Sequence, residues 1–188
     1  NGTLIVIKST VPPGTTNAVR NRLLKTVKGI DHVSVIFNPE FLREGTAVDD
    51  FLSPDRIVVG CDNRRDGEVL LSLYQPLFRK PVPEIYTSPL NAELIKYASN
   101  SYLAVRLSFV NELAGLCEKL GGNINEITKA MGMDQRIGSS YLSAGLGYGG
   151  ACLPKDTLAL VHTAKKVQTH LLVLESAIEA NRRIAHRL

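Results

Sequence analysis

The sequence predicts an α/β fold followed by an all-helical region, and two patterns in its 188 residues support this. Through the first half, short apolar runs rich in β-branched residues alternate with stretches of helical spacing, which is typical of a parallel sheet with crossover helices. From Ser88 onward only helical patterns follow, interrupted by a glycine-rich stretch at 138–150. We therefore predict a parallel sheet in residues 1–88 and a helical module with one long helix in residues 89–188.

The first region is predicted to contain short strands separated by helices. A helix with Thr15 or Thr16 as its N-cap covers Ala18–Val27, and an amphipathic helix covers Gly67–Phe78. The residues from Asn38 to Asp55 form a long connection for such a sheet, and long connections are often functional. The predicted strands are Thr3–Lys8, Val33–Phe37, Arg56–Gly60 and Glu84–Thr87.

The second region opens with a helix of about 30 residues, or roughly 45 Å. Ser88 and Pro89 provide its start, and no helix breaker appears before Gly121. The shorter predicted helices are Ile124–Met131, which ends before Gly132, then Pro154 to about Lys166, and Leu172–Leu188.

Composition excludes several classes of protein. With 44% hydrophobic residues and 21% charged residues of mixed sign, the chain is expected to fold. No apolar run approaches the roughly 20 residues of a membrane-spanning helix. The net charge is +4, but the basic residues are scattered along the chain and tryptophan is absent, which argues against a nucleic-acid partner. The cysteines are three in number and far apart in the sequence, at Cys61, Cys117 and Cys152, which predicts a reducing, cytoplasmic compartment. The sequence contains no CxxC motif and no paired-histidine spacing, so we predict no metal site.

Cys152 is the strongest candidate for a reactive group. It follows a glycine-rich stretch and lies within a turn of the helix that Pro154 begins, where helix N–H groups stabilise a thiolate. Lys155 adds a nearby positive charge, so the cysteine could be a nucleophile. The alternative is a buried structural thiol, which is how we interpret Cys117 and Cys61.

Three further pairs of polar residues could belong to a site. Lys96 and Asn100 lie four residues apart on the long helix, so they share a face and could together stabilise an oxyanion. A solvated helical face is the more common outcome of such spacing. Glu40 and Glu44 follow a predicted strand, where ligands of open parallel sheets bind, although Glu44 could instead begin a short helix through Phe51. Ser9 and Thr10 also follow a strand, and their hydroxyls could face the same crevice or cap a turn.

Together, four segments resemble the UDP-glucose 6-dehydrogenase group of nucleotide-sugar dehydrogenases, in that family's order and at about its intervals. The segments are Lys-Ser-Thr-Val-Pro-Pro-Gly-Thr from Lys8, Asn-Pro-Glu-Phe-Leu-Arg-Glu-Gly-Thr-Ala from Asn38, Met-Asp-Gln-Arg-Ile-Gly from Met133 and Gly-Tyr-Gly-Gly-Ala-Cys-Leu-Pro-Lys-Asp from Gly147. Ala151 and Leu153 stand where many members carry serine and phenylalanine. The resemblance covers essentially the whole chain. It implies the later strands of a Rossmann-like NAD-binding domain in 1–88 and a central dimerisation domain in 89–188.

The resemblance also implies a reaction: NAD-dependent, four-electron oxidation of the C6 alcohol of a UDP-sugar to a carboxylate, through a cysteine thiohemiacetal and thioester. In that reaction Cys152 would attack the aldehyde, Lys96 and Asn100 would stabilise oxyanions, and Asp156 would assist proton removal through water. Glu40 would serve thioester hydrolysis, and Thr10 would lie beside the reacting centre. The implied substrate-binding residues are Glu40, Phe41, Leu42, Glu44, Lys96, Asn100, Arg136, Tyr141, Leu142, Ser143, Gly147 and Gly149, and the implied cofactor-binding residues are Ser9, Thr10, Glu44, Cys152 and Lys155.

The sequence lacks the GxGxxG turn with which members of that family begin, and it stops before their final α/β domain. We therefore expect an internal fragment of a longer enzyme that is inactive alone and forms a homodimer or higher homo-oligomer through the helical domain. Another nucleotide sugar, either a UDP-N-acetylhexosamine or GDP-mannose, is an alternative substrate. A non-catalytic dimerisation module is an alternative from another class. A cysteine hydrolase is a third, but it lacks a suitably placed histidine, since His162 falls inside the next helix.

Overall fold

A four-stranded sheet organises the first part of the chain in the computed structural model, which describes residues 3–27 and 33–184. The chain falls into two compact units, Asn1–Lys96 and Tyr97–Leu188. The elements in chain order are β1 Leu4–Ile7, α1 Thr15–Thr26, β2 Ser34–Phe37, α2 Ala47–Leu52, β3 Ile57–Gly60, α3 Arg64–Tyr74, β4 Glu84–Thr87, α4 Pro89–Leu120, α5 Ile124–Met133, α6 Leu153–Lys166 and α7 Leu172–Ile184.

The predicted fold class is confirmed, with a mostly parallel sheet that departs from the prediction at one strand pairing. The strand order is β1-β2-β3-β4, in which β1 pairs with β2 and β3 with β4 in parallel, but β2 and β3 are antiparallel. The connection between β2 and β3, residues 38–56, is long enough for a crossover, but its helix α2 has only six residues. It therefore lacks the full helix that usually returns the chain for a parallel pairing.

The last residues of all four strands lie in one row across the sheet. Ile7 pairs with Phe37, Phe37 with Gly60, and Gly60 with Thr87. The antiparallel β2 and β3 therefore meet at their carboxyl ends. Every segment that leaves a strand of this sheet in the chain direction starts from the same row.

The two central strands, β2 and β3, are buried on both faces of the sheet. On one face Val59 packs with Leu70 and Leu71 of α3, and on the other Val58 packs with Ala92 of α4. Gly60 permits the close approach of α4, since a Cβ there would lie 2.6 Å from the Cβ of Ala92.

Two helix starts in the first unit differ from the prediction. Gly14, and not Thr15 or Thr16, is the N-cap of α1, because the carboxylate that satisfies its first N–H groups comes from another element, as described below. Helix α3 begins at Arg64 rather than Gly67, because the side chain of Asn63 accepts a hydrogen bond from the Arg65 N–H, 3.0 Å away. It ends at Tyr74, and a 3₁₀ turn at Gln75–Leu77 follows.

The second unit is helical, as predicted. The long helix was expected to run from Ser88-Pro89 to before Gly121, and α4 runs from Pro89 to Leu120, beginning in the first unit. Helix α5 continues through Gly132 to Met133, which corrects its predicted end; one glycine inside a helix costs only about 1 kcal/mol. The predicted continuation of α7 from Ile184 to Leu188 lies outside the described residues. Among the helices of residues 3–27 and 33–184, none is long and apolar enough to span a membrane.

Candidate active site

Asn38 joins three strands at the row of strand ends in the first unit. Its backbone N–H donates to the carbonyl oxygen of Ile7 at 2.9 Å, and its side-chain amide donates to the carbonyl oxygen of Val58 at 2.8 Å. Its side-chain oxygen accepts from Lys8 Nζ at 2.7 Å. Asn38 thus fixes the direction in which Glu40 and Phe41 leave the sheet.

A buried ion pair lies beside these strand ends. Lys96 of α4 is 5% exposed, and its Nζ lies 3.1 Å from Oε1 of the half-buried Glu40. The other oxygen of Glu40 accepts from the Leu42 N–H at 2.8 Å. An ammonium group has three N–H donors, so Lys96 can hold Glu40 and still donate to a ligand.

The ring of Phe41 lies close to two cations. The guanidinium carbon of Arg56 is 4.1 Å from the ring centroid, and Lys96 Nζ is 5.3 Å from it. Both distances suit cation–π attraction. We call Glu40, Phe41, Arg56 and Lys96 the Lys96 cluster.

The remaining candidates of the first unit lie in the turns after β1 and β2. Ser9, Leu42 and Glu44 are exposed, and Thr10 is half-buried. Helix α2 begins at Ala47 after Thr46, so Glu44 lies outside it and the alternative in which Glu44 begins a short helix is wrong.

Cys152 is the N-cap of α6 in the second unit. Its thiol is free and exposed, and its backbone oxygen accepts from the Asp156 N–H at 2.9 Å. Its position places the side chain beside the N–H groups of the first helical turn, which attract negative charge. Cys61 and Cys117 are buried, and burial raises the pKa of the Cys61 thiol, so their interpretation as structural thiols agrees with the fold.

Asp156 lies one turn into α6 and is 1% exposed. Its Oδ2 accepts from Asn100 Nδ2 of α4 at 2.6 Å, and its Oδ1 pairs with Lys155 Nζ. The hydrogen bond to Asp156 raises the pKa of Lys155, and the charges of Asp156, Tyr97 and Cys152 add to that effect. We call Asn100, Cys152, Lys155 and Asp156 the Asp156 cluster. The second N–H of the Asn100 amide remains for a ligand.

Two asparagines hold the glycine-rich loop that precedes Cys152. Asn111 Oδ1 accepts from the Gly145 N–H at 2.8 Å. The Asn181 amide makes two bonds to the backbone of Tyr148, accepting from its N–H at 2.8 Å and donating to its oxygen at 2.9 Å. Gly147 has φ +89°, and a Cβ there would lie 2.4 Å from Asn181 Oδ1, so only glycine fits.

The other candidates of the second unit lie on the same loop or just before it. Leu142 is buried, Tyr141 is half-buried with φ 58°, and Ser143 and Gly149 are exposed. The guanidinium of Arg136 is exposed and pairs with Asp134, with Nη2 2.6 Å from Oδ2. This pairing lowers the pKa of Asp134 and raises that of Arg136.

Sequence profiles of known families match both units. The profile of the UDP-glucose/GDP-mannose dehydrogenase family, NAD binding domain, matches residues 1–78, and that family's central domain matches residues 90–183. The chain belongs to this family.

Relatives within the UDP-glucose/GDP-mannose dehydrogenase family agree with the fold. The UDP-glucose 6-dehydrogenase of Rhizobium meliloti (strain 1021) is 48% identical over 95% of this chain and 41% of its own length. The structure of a UDP-glucose dehydrogenase from Pyrobaculum islandicum superposes with a TM-score of 0.90 at 42% identity, covering 96% of this chain and 41% of that one. A UDP-D-ManNAc dehydrogenase from Pyrococcus horikoshii superposes at 0.82 with 26% identity, over 97% of this chain and 42% of that one. The chain therefore spans about two fifths of the length of these relatives.

Sequence reasoning missed Glu93, Asn111 and Asn181 in this dehydrogenase-family chain. All three are polar residues on helices, at positions where a solvent-exposed face is the ordinary expectation. Glu93 lies three residues before Lys96, which places it near the same helical face, and that spacing was the one available signal. The partners of the asparagines are backbone groups of a loop, which no side-chain pattern reveals.

Proposed function

We propose that the protein containing this chain oxidises UDP-glucose to UDP-glucuronate with NAD in the cytoplasm. The observation that carries the proposal is an exposed thiol at the start of α6, one turn from a buried carboxylate held by Asn100. The names of the most similar relatives supply the substrate. The three free cysteines support a reducing compartment.

The residues present suit the nicotinamide end of NAD rather than its pyrophosphate. The start of α1 already holds the carboxylate of Glu93, so it does not offer its N–H groups to a phosphate. Ser9, Thr10 and Glu44 follow strand ends, which is where ligands of such sheets bind, and we assign them, with Cys152 and Lys155, to the cofactor. When bound, NAD would accept a hydride from the sugar C6 in each of two oxidations.

In the first oxidation, Asp156 would take the C6 hydroxyl proton through a water molecule while C6 loses a hydride, which leaves an aldehyde. Lys96 and Asn100 would stabilise the charge that develops on the oxygen, each with an N–H donor beyond the one it gives to its carboxylate partner. The half-buried hydroxyl of Thr10 would lie beside the reacting centre.

In the second oxidation, the Cys152 thiolate would add to the aldehyde carbon, forming a C–S bond and a thiohemiacetal. Loss of a hydride and of the hydroxyl proton would convert this adduct into a thioester. Glu40 would then deprotonate a water that attacks the thioester carbonyl, the C–S bond would break, and Cys152 would return as a thiolate. In sum, one alcohol, one water and two NAD would give one carboxylate, two NADH and three protons.

Binding of the sugar nucleotide would fall to residues around the two clusters. Phe41, Leu42 and Glu44 would contact it from the turn after β2. Arg136 would reach its charged groups, across a dimer interface if the chain assembles as we propose below. Tyr141, Leu142, Ser143, Gly147 and Gly149 would line its channel.

The test measures NADH formation by the protein that contains this chain, with NAD and a panel of UDP-glucose, UDP-N-acetylhexosamines and GDP-mannose. We expect UDP-glucose to give two NADH per sugar and Cys152→Ala to give no carboxylate, while Cys117→Ala, a matched change at a buried thiol, keeps the second oxidation. Carboxylate formation at the wild-type rate by Cys152→Ala would remove Cys152 from the mechanism. We expect the 188 residues alone to form no NADH.

A different nucleotide sugar is the second candidate substrate. The observation that favours it is the structural match to a UDP-D-ManNAc dehydrogenase, although its 26% identity is well below that of the UDP-glucose relatives. Preference for a UDP-N-acetylhexosamine or for GDP-mannose in the same panel would replace UDP-glucose in the proposal.

We also propose that the helical unit mediates homodimer or higher homo-oligomer formation. Helix α4 carries the exposed apolar side chains of Tyr102, Phe109 and Leu116, which are seven residues apart and therefore form one stripe. Sedimentation at micromolar concentration tests this, with Phe109→Glu expected to shift the protein toward monomer. A wild-type monomer at that concentration would contradict the proposal.

A further inference from the structure

Glu93 is a charged residue that the proposed reaction does not use, although it lies on α4 three residues before Lys96. Its side chain is fully buried, with 0% of the residue exposed. A buried carboxylate is costly unless hydrogen bonds satisfy it, so its partners identify what it does.

Within residues 3–27 and 33–184, the hydrogen-bond partners of this carboxylate all belong to the start of α1. Its Oε2 accepts from the Gly14 N–H at 2.5 Å, and its Oε1 accepts from the N–H and the hydroxyl of Thr16, at 2.8 and 2.6 Å. Helix α1 has no side-chain cap of its own and no acidic residue in its first turn. Glu93 therefore serves as the N-terminal cap of α1 from a position 77 residues further along the chain.

This contact fixes the turn that carries Thr10. The segment from Lys8 to Gly14 links the end of β1 to α1, and Glu93 binds its last residue. Between Thr10 and Gly14 stand Val11 and two prolines, whose rings fix φ and make the link stiff. Thr15 also donates its N–H and hydroxyl to the Pro12 oxygen, at 3.1 and 2.6 Å. A shift at Gly14 is therefore transmitted to Thr10 rather than absorbed.

We propose that Glu93 is a positioning residue that sets Thr10 relative to Lys96. Glu93 and Lys96 lie on one turn of α4. The same helix segment therefore holds the Lys96 ammonium directly and holds the Thr10 hydroxyl through Glu93 and the diproline turn. The inference rests on the proposed function, in which these two groups lie at the reacting centre. Displacing a reacting group by about 1 Å can cost on the order of a hundredfold in rate.

The first test is the Glu93→Gln variant, because an amide has one acceptor oxygen where the carboxylate has two, and its NH₂ would face N–H donors. We expect kcat per folded molecule to fall about ten- to hundredfold. The KM for UDP-glucose should stay within about twofold of wild type, since no hydrogen bond of Glu93 involves a residue assigned to the sugar nucleotide. Glu112→Gln makes the same change at an exposed position of α4 and should leave kcat unchanged.

The deciding measurement is a double-mutant cycle with Thr10→Ala. If Glu93 acts through Thr10, Glu93→Gln lowers kcat far less in the Thr10→Ala background than in wild type. If the two substitutions lower kcat by independent factors that multiply, Glu93 does not act through Thr10, and the inference is overturned.

If Glu93→Gln fails to fold, Thr16→Val removes one of the three hydrogen bonds and Thr16→Ser keeps the hydroxyl. The first should then lower kcat severalfold and the second restore it, and equal values of kcat in the two variants would overturn the inference.

Amide hydrogen exchange distinguishes this inference from the proposed function. Loss of protection at Gly14 and Thr16 in Glu93→Gln is expected, and unchanged protection overturns the inference even in an active enzyme. A wild-type protein that oxidises no nucleotide sugar contradicts the proposed function, and the positioning role with it. If the wild type is active but Glu93→Gln and Thr10→Ala lower kcat by factors that multiply, only the positioning role of Glu93 is contradicted.

Discussion

The Lys96 cluster and the Asp156 cluster bury opposite charges. In the first, the side chain of the cation Lys96 is 6% exposed and that of its partner Glu40 is 34% exposed. In the second, the side chain of the anion Asp156 is 1% exposed and that of its partner Lys155 is 57% exposed. Each pair therefore has one group held by packing and one group that reaches solvent.

The difference indicates which group in each pair is fixed and which is available. A buried charge is positioned by its surroundings and depends on its partner, because loss of the partner leaves it without compensation. The exposed member can exchange its partner for water or ligand at little cost. In the proposed reaction, Lys96 and Asp156 are accordingly the fixed groups, whereas Glu40 and Lys155 are the ones that turn toward water or cofactor.

The largest expected effect is that of Asp156→Asn. Removing the buried anion deletes the proposed proton acceptor, and general acid–base groups contribute about 10²–10⁴-fold to rate, so kcat should fall by that factor. NADH formation from UDP-glucose measures it. The control is Asp55→Asn, at an exposed carboxylate outside both clusters. A kcat within about twofold of wild type would show that the buried anion is structural.

Loss of the buried cation should have the next largest effect. Lys96→Met keeps the aliphatic length of the side chain and removes the charge that we propose stabilises the developing oxyanion. Such donors contribute on the order of 10²–10³-fold, so kcat should fall by that factor, with a smaller change in KM. The control is Lys129→Met, at an exposed position of α5. If the activity of Lys96→Met fell only in proportion to its fraction of folded protein, Lys96 would contribute to stability and not to the reaction.

Some elements of the fold could be predicted from the sequence and others could not. Elements bounded by strong signals were predicted closely: β4 has the predicted bounds, and α4 runs from Pro89 to the residue before Gly121. The antiparallel pairing of β2 and β3 was missed because strand direction depends on the path of a connection, and residues 38–56 carry no pattern that records it. The N-cap of α1 was misassigned because its carboxylate comes from Glu93, which is distant in the sequence.

The candidate site divides in the same way. Motif residues such as Glu40, Cys152 and Asp156 could be selected from the sequence. The pairing of each buried charge could not, because it depends on burial and on contacts such as Asn100 with Asp156, which are 56 residues apart. Sequence spacing predicted that Lys96 and Asn100 would share a helical face, but it did not reveal that each binds a different carboxylate.

Removing the exposed partner from each pair should lower stability unequally. Glu40→Gln leaves the buried ammonium of Lys96 without a carboxylate and should cost about 1–3 kcal/mol of unfolding free energy. Lys155→Met should cost less, about 1 kcal/mol, because Asp156 keeps its bond to Asn100. Urea unfolding measures both. Arg79→Met breaks the exposed pair with Asp49 and should change stability by at most about 0.5 kcal/mol. Equal costs for Glu40→Gln and Arg79→Met would contradict the role of burial.

The Lys155–Asp156 pair also predicts a dependence of stability on alkaline pH. The hydrogen bond to Asp156 raises the pKa of Lys155 above its ordinary 10.5. Folding therefore gains stability from this pair below the ordinary pKa and loses it as pH rises through the raised value. The difference in Tm between wild type and Lys155→Met should be constant from about pH 8 to pH 10 and should shrink above that range, since other titrating groups are common to both proteins. A difference that stays constant beyond it would exclude the pair as the cause.

The smallest effect on stability is expected where neither partner is buried. The side chain of Arg136 is 89% exposed, and that of its partner Asp134 is 33% exposed, so Arg136→Ala should change the unfolding free energy by at most about 0.5 kcal/mol. Arg136→Ala leaves no buried charge without a partner, so a change in its kinetics would indicate that Arg136 contacts a ligand. We expect KM for UDP-glucose to rise severalfold with kcat nearly unchanged, which is the signature of lost ground-state binding. Arg182→Ala, at another exposed arginine of the second unit, should leave KM unchanged. An unchanged KM in Arg136→Ala would remove Arg136 from the substrate site and leave the two buried-charge clusters as the parts of the proposed reaction that depend on charge.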